Sequence, residues 1–172
     1  IRLRYACFVA ILALLHPSIA HANSEGVFTE LSQGCYAIKA PIADLFLTHD
    51  PDHSDHDGYR FQTADTDPAM AFFFKRVGPD AFLLRDTQGK GLDSSPTHPP
   101  TQDYPWIIEP SVNTGGSAKL DDSMLFRFTS AQGNRRLGLS ASGDLTFETG
   151  TAPEQQFELH TAQNCNPYQE VT

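Results

Sequence analysis

Apolar and polar residues alternate with period two over short stretches of this chain: Tyr59-Arg60-Phe61-Gln62, Leu125-Phe126-Arg127-Phe128, Leu145-Thr146-Phe147-Glu148 and Phe157-Glu158-Leu159-His160. Successive side chains of a strand point to opposite faces, so each stretch predicts a half-buried β-strand. Between them lie Asp57-Gly58, Gln88-Gly89, Gln132-Gly133-Asn134 and Ser142-Gly143-Asp144, which supply the positive-φ or side-chain-capped positions of tight reversals. Beyond the N-terminal segment no stretch keeps apolar residues at i, i+3, i+4 and i+7 for three turns, and the 12 prolines are scattered. Helix content is therefore expected to be low. Many short strands at close spacing indicate a β-sandwich or a β-barrel.

An internal repeat, consistent in layout though weak in identity, separates these two architectures. Ala71-Phe72-Phe73-Phe74-Lys75, Pro105-Trp106-Ile107-Ile108-Glu109 and Gln156-Phe157-Glu158-Leu159-His160 each carry an aromatic, an apolar residue two places on, and then a polar one. Each closes a repeat that opens on an apolar strand with a Leu-rich partner. The openings are Cys35 to Ile38 with Leu45-Phe46-Leu47, Phe82-Leu83-Leu84, and Phe126-Arg127-Phe128 with Leu137-Gly138-Leu139. The repeats are unequally spaced, and Ser94 to Asp103 and Asn113 to Asp122 have the composition of inserted loops. Three such repeats predict a β-trefoil-like barrel, six strands capped by three hairpins, with a two-sheet β-sandwich as the alternative. Phe72, Trp106 and Phe157 are expected in the core, because they sit in alternating strands.

The N-terminus reads differently. Arg2 and Arg4 precede an apolar run from Ala6 to Leu15, followed by Ala20-His21-Ala22, the layout of a secretory signal peptide over residues 1–22. The run is well short of the roughly 20 residues that span a bilayer. Residues 23–172 then form a single secreted or periplasmic all-β domain, with no membrane attachment after cleavage. Cleavage removes Cys7 and leaves Cys35 and Cys165, an even pair in an oxidising compartment, for which a disulfide is expected.

Twelve Lys and Arg against 21 Asp and Glu give a net charge of −9, which argues against nucleic acid as a partner, since phosphate backbones require a cationic footprint. Catalytic motifs fail at positions that matter. Gly138-Leu139-Ser140-Ala141-Ser142 lacks the closing Gly of a nucleophile elbow, and Gly89-Lys90-Gly91-Leu92-Asp93-Ser94 lacks the third Gly of a dinucleotide fingerprint. No catalytic residue and no cofactor is indicated.

The densest chemistry lies between His49 and Gly58, with three His and four Asp. Imidazole suits Zn or Cu and carboxylate suits Ca, which makes His49, His53 and His56 candidate ligands. EF-hand spacing from Asp50 fails, because Asp55 stands where Gly is required and Phe61 where Glu is required. The expectation is a solvated hairpin loop that holds no metal tightly. Ricin-type trefoils carry Q-x-W near the end of each repeat, and Gln155-Gln156-Phe157 is similar, with Phe for Trp. Asp86 and Asp144, in hairpin turns, are the candidate acceptors for sugar hydroxyls.

Gly34-Cys35-Tyr36-Ala37-Ile38, Phe73-Phe74-Lys75-Arg76, Ala81 to Asp86 followed by Gly89-Lys90, Phe157-Glu158-Leu159, and Cys165 with Pro167-Tyr168 are similar to a known arrangement. It resembles the N-terminal accessory segment of exported bacterial metal-dependent hydrolases of the membrane-dipeptidase and amidohydrolase type. The resemblance implies a non-catalytic accessory or binding module with a downstream hydrolase barrel as partner, expected beyond Thr172. The alternative is a free-standing trefoil, lectin-like and carbohydrate-binding or inhibitor-like.

Overall fold

The computed structural model describes residues 19–63, 70–93, 104–111, 119–162 and 165, with side chains from residue 24 onward. Four strands make the first repeat: β1 (Cys35–Ala40), β2 (Leu45–His49), β3 (Tyr59–Gln62) and β4 (Ala71–Arg76). The second contains β5 (Ala81–Asp86) and β6 (Trp106–Pro110), and the third β7 (Leu125–Ser130), β8 (Arg136–Leu139), β9 (Leu145–Glu148) and β10 (Phe157–Thr161). Antiparallel pairing runs β1 to β4, β5, β6, β7, β10 and back to β1, closing a six-stranded barrel. A closed ring is incompatible with the two-sheet sandwich.

The register explains why the repeats are unlike in sequence yet equivalent in space. Tyr36 faces Phe72, Phe82 faces Trp106, and Phe126 faces Phe157. One step along, Phe74 faces Leu84, Ile108 faces Phe128, and Leu159 faces Ile38. These twelve side chains alternate inward with period two and are buried. They fill the barrel with layers of side chains, so its interior is a core and not a channel. Hairpins β2–β3 and β8–β9 lie over one end of the ring. In the second repeat, among the described residues, a bridge between Arg85 and Gly91 lies at the corresponding place. The expected inserted loop from Ser94 to Asp103, and most of that from Asn113 to Asp122, lie outside the described residues.

The opposite end is closed by an element the sequence pattern did not predict, α1 (Ile19–Leu31). Val27, Phe28 and Leu31 are buried, and the Phe28 ring lies 5.6 Å from Phe82 at the start of β5. Glu25 grips Arg76 at 2.6 and 2.8 Å, the Tyr36 hydroxyl donates to the Glu30 carbonyl at 3.0 Å, and the Leu120 amide donates to the Glu30 carboxylate at 2.6 Å. The guanidinium beside it holds the Glu25 carboxyl below its ordinary range. Three apolar positions in little more than a turn are too few for a helical period to stand out, and Gly26 weakens the local preference further. All three lie beyond Asn23, so a chain beginning there retains the plug. No described helix is long and apolar enough to cross a membrane.

Cys35 and Cys165 are joined by a disulfide, with Cα atoms 6.3 Å apart. It ties the first residue of β1 to the segment that follows β10, where the Ala162 amide already donates to the Cys35 carbonyl at 3.1 Å.

Candidate functional site

Asp86 ends β5 and is 1% exposed. One carboxylate oxygen accepts the Gln88 and Lys90 amides at 2.8 Å each, and the other accepts the Tyr59 hydroxyl at 2.8 Å. Burial, together with that bond, raises the Tyr59 hydroxyl pKa far above its ordinary value. Asp86 thus organises a turn and anchors β3 of the first repeat on the second, and it is not offered to a ligand. Asp86→Ala is expected to lower unfolding free energy by about 2–3 kcal/mol, since a buried hydroxyl and two turn amides lose their acceptor. Urea denaturation checks this, and a change within error would remove Asp86 from the framework.

The His-rich segment occupies the β2–β3 hairpin, as expected, but it is not simply solvated. Its imidazoles diverge. The His49 ring meets Tyr59 edge-on at 5.5 Å, His53 Nε2 faces Asp144 Oδ1 at 3.5 Å, and the His56 ring lies 5.0 Å from Phe147. Among the described residues no group of three His, Cys, Asp or Glu side chains is placed to hold a metal. The loop instead docks the first repeat on the third. Asp50 accepts from the Asp52 amide and the Gln62 side-chain amide, and Arg60 lies between Asp50, at 3.6 Å, and Asp144, at 4.0 Å.

Asp144 belongs to the β8–β9 turn. The Ser142 hydroxyl, 2.5 Å away, and then the Arg60 charge hold its carboxyl below the ordinary range. Gly143 makes the docking possible. Its φ is +88°, its carbonyl accepts the Phe61 amide at 2.8 Å, and a Cβ there would stand 2.7 Å from the Phe61 carbonyl oxygen.

The three repeat-closing aromatics are in the core, as their alternating strands predict. Phe72, Trp106 and Phe157 are 0% exposed, and the Trp106 indole N–H donates to the Leu92 carbonyl at 2.8 Å. Gln155, the first residue of the Q-x-W-like triplet, is buried and donates to the Glu148 carbonyl at 3.3 Å. Phe147 is stacked on Trp106, with ring centroids 6.0 Å apart.

A concave surface does appear elsewhere, at a place the sequence did not single out. A cleft of about 500 Å³ lies on the outer wall where the second repeat meets the third. Its floor is made by outward positions of β6, β7 and β8, among them Ile107, Glu109, Thr129 and Arg136, and its rims by Asn134 and Gly150. Arg136 stands opposite Thr129 in the register. Its Nε donates to Thr129 Oγ1 at 3.4 Å, Nη1 donates to the Gly150 carbonyl, and Nη2 lies 3.9 Å from Glu109 Oε2. Alternation alone marks these as solvated positions. The turns that make them concave come from separate hairpins, and no local signal announces that.

No protein-family model and no curated protein sequence matches the chain. Solved structures are similar in backbone, among them these three. ThreeFoil, a designed three-fold symmetric protein, matches at 14% identity and TM-score 0.56 over 75% of this chain and 99% of its own. BEL, a β-trefoil in an apo crystal form, matches at 13% identity and TM-score 0.56 over 75% and 93%. A mosquitocidal holotoxin matches at 13% identity and TM-score 0.54 over 76% of this chain but only 17% of the toxin. Likeness at such identity speaks to fold alone, and together with the closed six-stranded barrel and its repeating register it shows that this chain has the β-trefoil fold.

Proposed function

We propose that the chain is a non-catalytic binding module that takes carbohydrate on its outer surface. The cleft beside Arg136 carries this reading: it is open, of small-ligand size, and sets charged and polar groups beside the apolar side chain of Ile107. The barrel interior is filled, and Asp86, Asp144 and the three loop histidines are engaged within the fold. None of them forms the nucleophile and base pairing that acyl transfer needs. The resemblance to an accessory segment gives the same role a setting, a binding module carried by an exported metal-dependent hydrolase. The Cys35–Cys165 bridge suits an oxidising compartment such as the periplasm or the exterior.

The test is a glycan array probed with the labelled, oxidised protein, beside an assay of dipeptide cleavage in added Zn. Reproducible retention of at least one glycan, with no turnover, is expected. An array without a hit overturns the carbohydrate reading. Turnover that disappears on replacing His53 and His56 overturns the non-catalytic one.

A further inference from the structure

We infer that the cleft between the second and third repeats is a site for an uncharged polyhydroxylated ring that places one hydroxyl between Arg136 and Glu109. The inference rests on the carbohydrate reading and gives it a location. Arg136 is fixed by its bonds to Thr129 Oγ1 and the Gly150 carbonyl, which leaves Nη2 directed at Glu109 Oε2 across 3.9 Å. That gap exceeds hydrogen-bond reach. A hydroxyl oxygen set beside it lies about 2.8 Å from both atoms, accepting from the guanidinium and donating to the carboxylate. A hydroxyl does both through a single atom and brings no charge. An anion would leave Glu109 facing a like charge, and a cation would do the same to Arg136.

The remaining walls suit a sugar ring. Ile107 is half-buried and faces outward from β6, giving an apolar patch for ring C–H groups. Asn134, exposed in the β7–β8 turn, adds an amide that both donates and accepts. The volume of about 500 Å³ lies in the range of small-ligand sites. The equivalent place at the junction of the third and first repeats is built differently. The position equivalent to Arg136 opposite Thr129 is Phe46 opposite Lys39. There the ammonium lies over the ring at 5.6 Å from its centroid and bonds Asp44 at 2.6 Å, which leaves no gap between donor and acceptor for a hydroxyl.

The experiment titrates the methyl glycosides of glucose, galactose, mannose and N-acetylglucosamine, with N-acetylneuraminic acid as the charged comparison, into isotopically labelled protein. Amide shifts are read by NMR. At least one neutral glycoside is expected to move the Gly133, Asn134 and Gly150 amides. Arg136→Gln and Glu109→Gln should each weaken that binding by about tenfold or more, with the rest of the spectrum unchanged. Should Arg136→Gln disturb the fold, Glu109→Gln, at a side chain 49% exposed, carries the comparison. Shifts confined to other amides, unchanged affinity in the variants, or preference for N-acetylneuraminic acid overturn the cleft assignment while leaving the carbohydrate reading in place. Failure to bind any glycoside here and any glycan on the array removes both.

Discussion

Replacing Trp106 by alanine is expected to cost about 3–5 kcal/mol of unfolding free energy, the range for an aromatic removed from a close-packed core. Three losses combine. The ring is 0% exposed, stands opposite Phe82 in the register, and contacts Phe128 edge-on at 6.3 Å and Phe147 face-on at 6.0 Å. Its indole N–H satisfies the Leu92 carbonyl, which alanine would leave without that donor. The cavity would open against Phe128 and Phe147, in a close-packed interior. Since domains of this size are stable by only about 5–15 kcal/mol, the variant should unfold at markedly lower urea. Circular dichroism has to report it, because Trp106 is the only tryptophan. Trp106→Phe should recover more than half of the loss. A cost below 1 kcal/mol for the alanine variant would mean that the three repeats do not share one core.

Breaking the Cys35–Cys165 bridge is the second large effect. The cysteines are separated by 130 residues, and constraining a loop of that length in the unfolded chain is worth about 4–5 kcal/mol on the chain-entropy account. The double Cys→Ser variant is expected to lose about 2–5 kcal/mol in denaturant. It should keep its strands, because β1 and β10 stay paired through Tyr36, Ala37, Ile38 and Lys39. Wild-type protein treated with reductant should match the double variant. Two free thiols in protein folded under oxidising conditions, or equal stability of variant and wild type, would show that the bridge plays no such part.

The pairing of β1 with β10 also shows why chain ends matter in this architecture. A six-stranded ring closes only when its last strand finds its first, and that contact carries the greatest separation in sequence. The disulfide and the docking of α1 both act beside that closure. A break there opens the ring.

What the sequence determined by itself was the set of barrel strands and their three-fold plan. Phe72, Trp106 and Phe157 each close a repeat in alternating strands, and alternation is a local property that survives wide divergence between repeats. The turn positions at Gly58, Gly89 and Gly143 were legible for the same reason, since each needs a positive φ that glycine adopts without strain. The tertiary structure decided the rest. Asp86 and Asp144 look alike as turn aspartates, yet one is sealed under Tyr59 while the other stays partly exposed beside His53. Which of them is buried depends on which hairpin folds over it, a contact between repeats. Of the histidines, close together in sequence, His49 meets Tyr59 across its own hairpin, whereas His53 and His56 meet Asp144 and Phe147 of the third repeat, across an interface that spacing along the chain does not encode. The cleft at Arg136 follows the same logic. Its floor comes from three strands and its rims from two turns, and only closure of the barrel sets them around one space.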